Sequence, residues 1–505
     1  MAKIAKTMSK KKNHLFRFLA IAIGAAIFAA LTPTIVQAIE PTSTVTTLES
    51  LDKTTTQLKL SIDTSWVLIT GFLVFFMQCG FAMLEAGLVR QTAVVNTLAE
   101  NFIDAGITLL AWWFTGFAIA FGTTSNGFWG ADGFFLNNAF SFSNGALEYA
   151  MGAGGSTAPV STFTLFFFQF AFSATASTIT TGAMAERTDF KGDLIYAFIM
   201  GAVMYPIVVH WVWNNGGWLN KLSFHDFAGD AAVHTVGGCT ALVGAYLLGP
   251  RPNRVWGQMP PAHNLGYATI GTMILWFGWY GFNCGSTLSM DNTGLIGLIA
   301  VNTTIAASTG AVSALLYIYF RIRQWHLFCA LNGSLAGLVG VTAGCAYVMP
   351  WAAALIGLVA GVVVLVVVDV IEWFEIDDPV GAFAVHGACG MLGIIAVGLF
   401  GHPALTINQK AGLFLGGGFD LLGVQLGGEA AIVVFVVIFS FAMFIPLKAL
   451  GILRVNEEAD LIGIDVYEHG ASAWPDVYPI DGSQFDDDDD DDESEYQEDL
   501  TPTFK

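Results

Sequence analysis

Charge is what this 505-residue chain has least of. Only 12% of its residues are Asp, Glu, Lys or Arg, against 54% that are hydrophobic, and the mean hydropathy is +0.62. Charge this sparse argues against an ordinary soluble enzyme and against a nucleic-acid binder, which needs a basic face. Cysteine is scarce as well. All six (Cys79, Cys239, Cys284, Cys329, Cys345 and Cys389) stand in apolar runs, and none has C-x-x-C spacing. They read as small buried hydrophobes and not as disulfides or metal ligands. There is no P-loop, no G-x-S-x-G elbow and no H-E-x-x-H pair. Nucleotide hydrolysis, serine hydrolysis and zinc proteolysis therefore lack their machinery, and no enzyme activity, cofactor or metal is expected.

What remains is a polytopic membrane protein. Eleven apolar segments lie near residues 64–88, 95–122, 160–184, 192–213, 229–249, 264–287, 294–320, 327–346, 351–372, 382–402 and 429–452. Each is long enough to cross roughly 30 Å of hydrocarbon. The expected fold class is all-α, with eleven transmembrane helices. The 56 glycines suit close helix packing and the 14 tryptophans suit the water interface.

The flanks are of another kind. Lys3, Lys6, Lys10, Lys11, Lys12 and Arg17 precede an apolar run from Phe18 to Leu31, and Val36-Gln37-Ala38 is a small-x-small site. Residues 1–38 read as a secretory signal peptide whose cleavage leaves the N-terminus outside, and 39–61 as an exterior leader. The membrane domain is placed at 62–453, a cytoplasmic regulatory segment at 454–475 and a disordered acidic tail at 476–505. From Glu457 onward there are eighteen acids against one lysine, seven of them the run Asp486 to Asp492, so most of the net charge of −20 lies in that tail. With the N-terminus outside, nine basic residues fall in or beside cytoplasmic loops (Arg90, Arg187, Lys191, Arg251, Arg254, Arg321, Arg323, Lys448, Arg454). Four are exterior (Lys53, Lys59, Lys221, Lys410). That asymmetry satisfies the positive-inside rule and puts the C-terminus in the cytoplasm.

One pattern occurs twice. Residues 226–238 read DFAGDAAVHTVGG and residues 378–390 read DPVGAFAVHGACG, both fitting D-x-x-G-x-x-A-V-H-x-x-x-G. His234 falls in the fifth segment and His386 in the tenth, so the two copies enter the membrane from opposite faces. That is the mark of an inverted repeat, segments 1–5 matched by 6–10, with a site near the midplane between the halves. An ionisable group within a span is costly, and histidine is the least costly that still exchanges a proton near neutral pH. His210 and His326 have no counterparts and read as interfacial. Asp226 stands where it can cap the fifth helix or draw cations to an outer vestibule, whereas Asp378 reads as an ordinary helix start. Aromatic residues gather at the outer ends of spans: Trp211 and Trp213, then Trp276, Phe277, Trp279, Tyr280 and Phe282, followed by Asn283 and Ser286. Such faces can hold a small dehydrated cation, and they also form ordinary interfacial belts.

FAMLEAG at 81–87, GAMAER at 182–187, HWVW at 210–213, DFAG at 226–229, GWYGFNCGS at 278–286, DDPVGAFAVHG at 377–387 and EEADLIGIDVYEHG at 457–470 together resemble the ammonium transporters of the Amt/Mep/Rh group, in the Amt branch, from about residue 62 to 475. The resemblance implies a homotrimer in the bacterial cell membrane with one pore per subunit. It implies that NH4+ is recruited at an outer aromatic site, deprotonated, and conducted as NH3. His234 and His386 match the twin-histidine pair, Trp213 and Ser286 the outer ammonium site, Asp226 the acid beneath it, and Phe172 and Phe282 the stacked gate. Trp211 and Phe170 stand as rivals to Trp213 and Phe172. A cytoplasmic PII-type regulator is implied as partner of the 454–475 segment. An ammonium sensor of low flux and an Rh-type neutral gas channel are the alternatives. Asn214-Asn215, Gly381 and the poly-Asp extension depart from the family pattern.

Overall fold

The computed structural model describes residues 48–258 and 261–475. The signal peptide and the tail beyond 475 lie outside the described residues. The described residues up to Leu58 form one unit and those from Lys59 onward another; the candidate functional residues all belong to the second.

Helix α1 runs Leu48–Leu88. The leader expected at its start is helical from Leu48, because its hydroxyls bond back one turn (Thr54 Oγ1 to Ser50 O, 2.8 Å) and Lys59 pairs with Asp63 four residues on. Helix α2 (Val94–Ala111) continues through a π turn, Trp112–Gly116, to Phe121. Helix α3 is Thr162–Met184, capped by Ser161. Helix α4 begins at Phe190, capped by Asp189, passes a π turn at Met200–Met204 and ends at Trp213. Helix α5 opens with a π turn, Asp230–Thr235, and runs on to Leu248. Helices α6 (Leu265–Gly285), α7 (Thr293–Ile322), α8 (Leu327–Thr342) and α9 (Pro350–Trp373) follow. Helix α10 repeats the plan of α5, a π turn at Phe383–Ala388 followed by Cys389–Phe400. Helix α11 is Asp420–Ala449, and two short helices close the described chain, α12 (Glu457–Ile462) and α13 (Ile464–His469).

Among the described residues nine helices are long and apolar enough to cross a membrane; α8 is apolar but shorter. The outer faces of these helices and of α6 carry exposed Phe102, Ile270, Met273, Phe277, Val434 and Ile438, a surface suited to lipid and not to water. The expectation of a purely helical chain needs one correction. The Gly- and Phe-rich segment before α3 folds into two antiparallel hairpins, β1 (Phe140–Ser143) with β2 (Ala146–Tyr149) and β3 (Met151–Ala153) with β4 (Ser156–Ser161). Short segments without a helical period, turning at Asn144-Gly145 with both residues at positive φ, favour hairpins.

Helices α5 and α10 position everything that follows. Arg187, just before α4, donates to Asp377 O (2.6 Å), while Trp213, at the end of α4, donates to Asp226 O (2.8 Å). The two Asp-led entries therefore sit at opposite ends of α4, and α5 and α10 run toward each other. They touch backbone to backbone where a Cβ on Gly238 would collide with the main chain of Gly387.

One sequence reading changes here, that of Cys79, and His210 gains a structural role. His210, near the end of α4, is fully buried within the protein, its Nδ1 2.9 Å from Ile119 O and 3.0 Å from Ala120 O. It fastens α4 to the end of α2. Cys79 is exposed, unlike the other five cysteines, because it faces outward from α1. All six are free thiols.

Candidate functional site

The site is a column of rings between the Asp226 end and the middle of the bundle. Each entry is built by one local device. Asp226 Oδ1 accepts the backbone N–H groups of Gly229 and Asp230 (3.0 and 2.7 Å), and Oδ2 those of Ala231 and Ala232 (both 3.0 Å). Asp378 does the same work with Gly381, Ala382 and Phe383 (3.0, 2.9 and 2.9 Å). In both copies the third residue on is a glycine at positive φ, +110° for Gly229 and +79° for Gly381, which an L side chain adopts only with strain. The helix then begins with a π turn, a widened turn that re-aims the side chains it carries. In each copy that turn carries the histidine.

His234 and His386 meet where α5 and α10 cross. Their Nδ1 atoms are 3.1 Å apart, and the rings are near-parallel, 23° between planes with centroids 5.1 Å apart. Since one Nδ1 must donate and the other accept, a single proton lies between them. His234 is fully buried, stacked on Trp279 (5.2 Å, 16°) and Phe282 (5.5 Å, 27°). Its Nε2 has no hydrogen-bond partner among the described residues. Phe81 lies beside His386, 6.1 Å between centroids.

Above the histidines Phe282 stacks on Phe172, 4.1 Å between centroids and 24° between planes, and both are buried. Above that pair a cavity of about 150 Å³ is lined by Phe172, Trp213, Ser286, Gln169 and Phe227 among others. Trp213 meets Phe172 edge-on at 6.0 Å. The Ser286 hydroxyl donates to Phe282 O (2.8 Å), so what its oxygen offers the cavity is lone pairs. Gln169 Oε1 is a second buried acceptor with no partner among the described residues. A cavity with π faces and acceptors suits a small cation that brings its own donors.

The two rivals are placed elsewhere. Trp211 donates to Phe128 O (3.1 Å) and packs on Trp218 and Phe435. Phe170 packs on Phe75 and Phe167 at the outer face of α1. Asp226 is absent from the residues lining the cavity. Its carboxylate is taken up by the start of α5, and it reaches the cavity through its carbonyl, which anchors Trp213.

Sequence reasoning missed Gln169, Trp279 as the floor under His234, and two buried acids that brace the pair. Asp230 Oδ2 accepts from Ala343 N (2.6 Å), tying α5 to the end of α8. Glu429 on α11 accepts from the Thr235 hydroxyl (2.6 Å), beside His234. A lone acid inside an apolar span was the available signal for both. Among the described residues no group of histidine, cysteine and acids is arranged to hold a metal.

The whole column falls inside a match to the family described as Ammonium Transporter Family, which covers residues 65–474. The chain is 41% identical over 439 residues to Ammonium transporter Amt2 of Archaeoglobus fulgidus, covering 83% of this chain and 89% of that protein. It is 39% identical over 422 residues to a putative ammonium transporter of Synechocystis, covering 81% and 88%. Among solved structures, one titled Sensor Amt Protein superposes with a TM-score of 0.75 at 33% identity, covering 82% of this chain and 99% of that one. Saccharomyces cerevisiae Mep2 superposes with a TM-score of 0.71 at 26% identity, covering 79% and 88%. On this evidence the chain is a multi-pass membrane protein of the ammonium transporter family.

Proposed function

We propose that the protein recruits NH4+ in the outer cavity, strips it of water between Trp213, Phe172 and Ser286, deprotonates it, and conducts NH3 past His234 and His386. The observation that carries this reading is the column itself: an acceptor-lined cavity, a stacked phenylalanine pair and a histidine pair, in contact one after another. Potassium matches ammonium in size and charge but cannot lose a proton. Carrying a bare charge into this dry, ring-lined passage costs several kcal/mol even after relaxation. Ammonium avoids that cost by leaving its proton behind, and its N–H groups bond the acceptors at Ser286 and Gln169, each cation–π contact adding about 0.5–2 kcal/mol. The Phe172–Phe282 pair is the gate, and the opposed Nδ1 atoms are poised to exchange the proton.

The same reading includes eleven spans with α1–α5 and α6–α10 as inverted halves, the N-terminus outside and the C-terminus in the cytoplasm of a bacterial cell. It includes a homotrimer and a PII-type regulator docking at residues 454–475. Support for a regulatory role comes from α13: Asp465 accepts from Val95 N and Asn96 N (3.0 and 2.8 Å), capping α2, and His469 Nε2 lies 2.8 Å from Asn96 Oδ1. The tail thereby grips a helix of the bundle.

A second reading, an ammonium sensor of low flux, is favoured by the likeness to the Sensor Amt Protein structure. Methylammonium uptake by cells lacking other ammonium transporters separates the two. Uptake by the wild type, abolished in His234→Ala, is expected of the transporter. Binding without uptake is the result that overturns transport and leaves the sensor.

A further inference from the structure

A second group of ionisable side chains lies away from the ring column. Glu85 on α1, Glu100 and Asp104 on α2 and Asp193 on α4 are each at most 2% exposed, and α2, which carries two of them, packs against the start of α4. Among the described residues none of the four joins an ion pair. Glu85 is well supplied with donors: Asn101 Nδ2 (2.9 Å) and the Thr181 hydroxyl (3.1 Å) both bond its Oε2. Ser177 donates to Asp104 Oδ2 (3.1 Å). The rest is unsatisfied. Both oxygens of Glu100, both of Asp193 and Oδ1 of Asp104 meet no donor among the described residues, and two fully buried donors beside them, Asn96 Nδ2 and the Tyr196 hydroxyl, meet no acceptor. Buried polar atoms of both kinds, unpaired among these packed helices, mark a place built to exchange protons.

Hydrogen bonds give the group its geometry: Thr181 on α3 bonds Glu85, Ser177 one turn earlier bonds Asp104, and Asn101, between Glu100 and Asp104 on α2, bonds Glu85. Four carboxylates without a cation cannot all keep their charge in low dielectric, so the group shares fewer protons than it has carboxyls and keeps an oxygen free to take one more. No metal-holding arrangement occurs among the described residues. The end of the group nearest the column is Glu85. It stands one helical turn beyond Phe81, whose ring adjoins His386, and its Oε1 faces Gly182 beside Val380, close to the start of α10.

We propose that Glu85, Glu100, Asp104 and Asp193 form a buried proton-holding site that receives the proton released when ammonium becomes ammonia. This rests on the transport reading above. The step balances without any co-reactant. One N–H bond of ammonium breaks, the electron pair stays on nitrogen, and the proton ends on a carboxylate oxygen. Passage within the group breaks one carboxyl O–H bond as another forms. The titratable groups facing the site are the four acids, Tyr196 on α4, His469 on α13, whose Nε2 meets Asn96 Oδ1, and Asp378 at the start of α10; α3 supplies only the hydroxyls of Ser177 and Thr181.

The test uses the full chain in liposomes, with Asp104→Asn and Asp193→Asn, which keep shape and remove the exchangeable proton. Infrared difference spectra in light and heavy water read protonated carboxyls directly, and charge moved per methylammonium taken up reads the proton's route. The wild type is expected to show a deuterium-sensitive protonated-carboxyl band that both variants lose, together with a severalfold fall in charge per methylammonium. A wild-type spectrum without such a band, or one that both variants retain, overturns the proposal. So does a charge ratio that neither variant changes while uptake persists. Should the wild type take up no methylammonium at all, the transport reading falls with the proton's assigned source, while the infrared band still decides whether the acids share protons. Glu100→Gln provides a second handle should either Asp variant not reach the membrane.

Discussion

In the proposed cation site Ser286 and Trp213 act by what they withhold. Each spends its own hydrogen on the protein, Ser286 on Phe282 O and Trp213 on Asp226 O, so the cavity meets a lone pair and a π face. A hydrogen bond to a charged group contributes about 1.5–3 kcal/mol. Ser286→Ala is therefore expected to raise the KM for methylammonium roughly tenfold or more and to change the maximal rate much less; concentration-dependent uptake checks it, and an unchanged KM would remove Ser286 from the site. The sequence alone left Trp211 beside Trp213 and Phe170 beside Phe172. Two residues apart on a helix point to different sides, and only the partners across space choose between them: Phe128 O for Trp211, Asp226 O for Trp213. Gln169 was illegible for a related reason. A polar residue in a Phe-rich helix has no period of its own, and its meaning comes from Ser286 and Trp213, which lie far along the chain.

At the scale of elements, the two Asp-Gly-His entries show what a repeat can and cannot tell. The shared spacing made the histidines a pair. It did not disclose that each copy is a cap, a positive-φ glycine and a π turn in succession, because hydrophobic period does not distinguish a π turn from an α turn. Asp378 tests the cap by itself, since it does not adjoin the outer cavity. Asp378→Ala removes three backbone bonds and is expected to destabilise the protein by about 0.5–2 kcal/mol, with Asp378→Asn recovering most of it; thermal unfolding in detergent measures both. Equal losses in the two variants would show that charge and not capping is what Asp378 supplies. The hairpins before α3 were missed because segments of three to six residues carry too little pattern to compete with the apolar runs around them.

At the scale of the molecule, buried charge gathers at the Asp378 end. Arg251 bonds Asp377 through Nε and NH2 (2.8 and 2.9 Å) and Glu186 through NH1 (2.6 Å), Arg90 also pairs with Glu186, and Arg254 joins Asp377 and Glu372. These links tie the loops after α1, α3, α5 and α9. Burial raises the Asp377 carboxyl, but the hydrogen bonds and charge of Arg251, with the charge of Arg187, outweigh it and hold Asp377 below the usual carboxylate range. A carboxyl lowered in the folded state stabilises it above the unfolded value of about 4 and progressively less as the pH falls below that. Unfolding temperature is thus expected to drop as the pH falls from about 4 toward 2. Asp377→Asn should flatten that drop and cost about 1.5–3 kcal/mol at neutral pH, since it weakens hydrogen bonds to charged groups while Arg251 keeps Glu186 and Arg254 keeps Glu372. A variant as acid-sensitive as the wild type would contradict the clamp. The basic residues of this network were counted from sequence as a sign of orientation; their partnership was hidden because Glu186 and Asp377 are almost 200 residues apart.

The central claim is that ammonium crosses by giving up its proton beside His234 and His386. Ammonium-evoked current and methylammonium uptake, recorded on the same liposomes for the wild type and for His234→Ala with His386→Ala, test it most directly. The account predicts substrate uptake by the wild type, no entry of potassium, and loss of ammonium selectivity or of uptake when both histidines are removed. Unaltered uptake and selectivity in the double variant would contradict it.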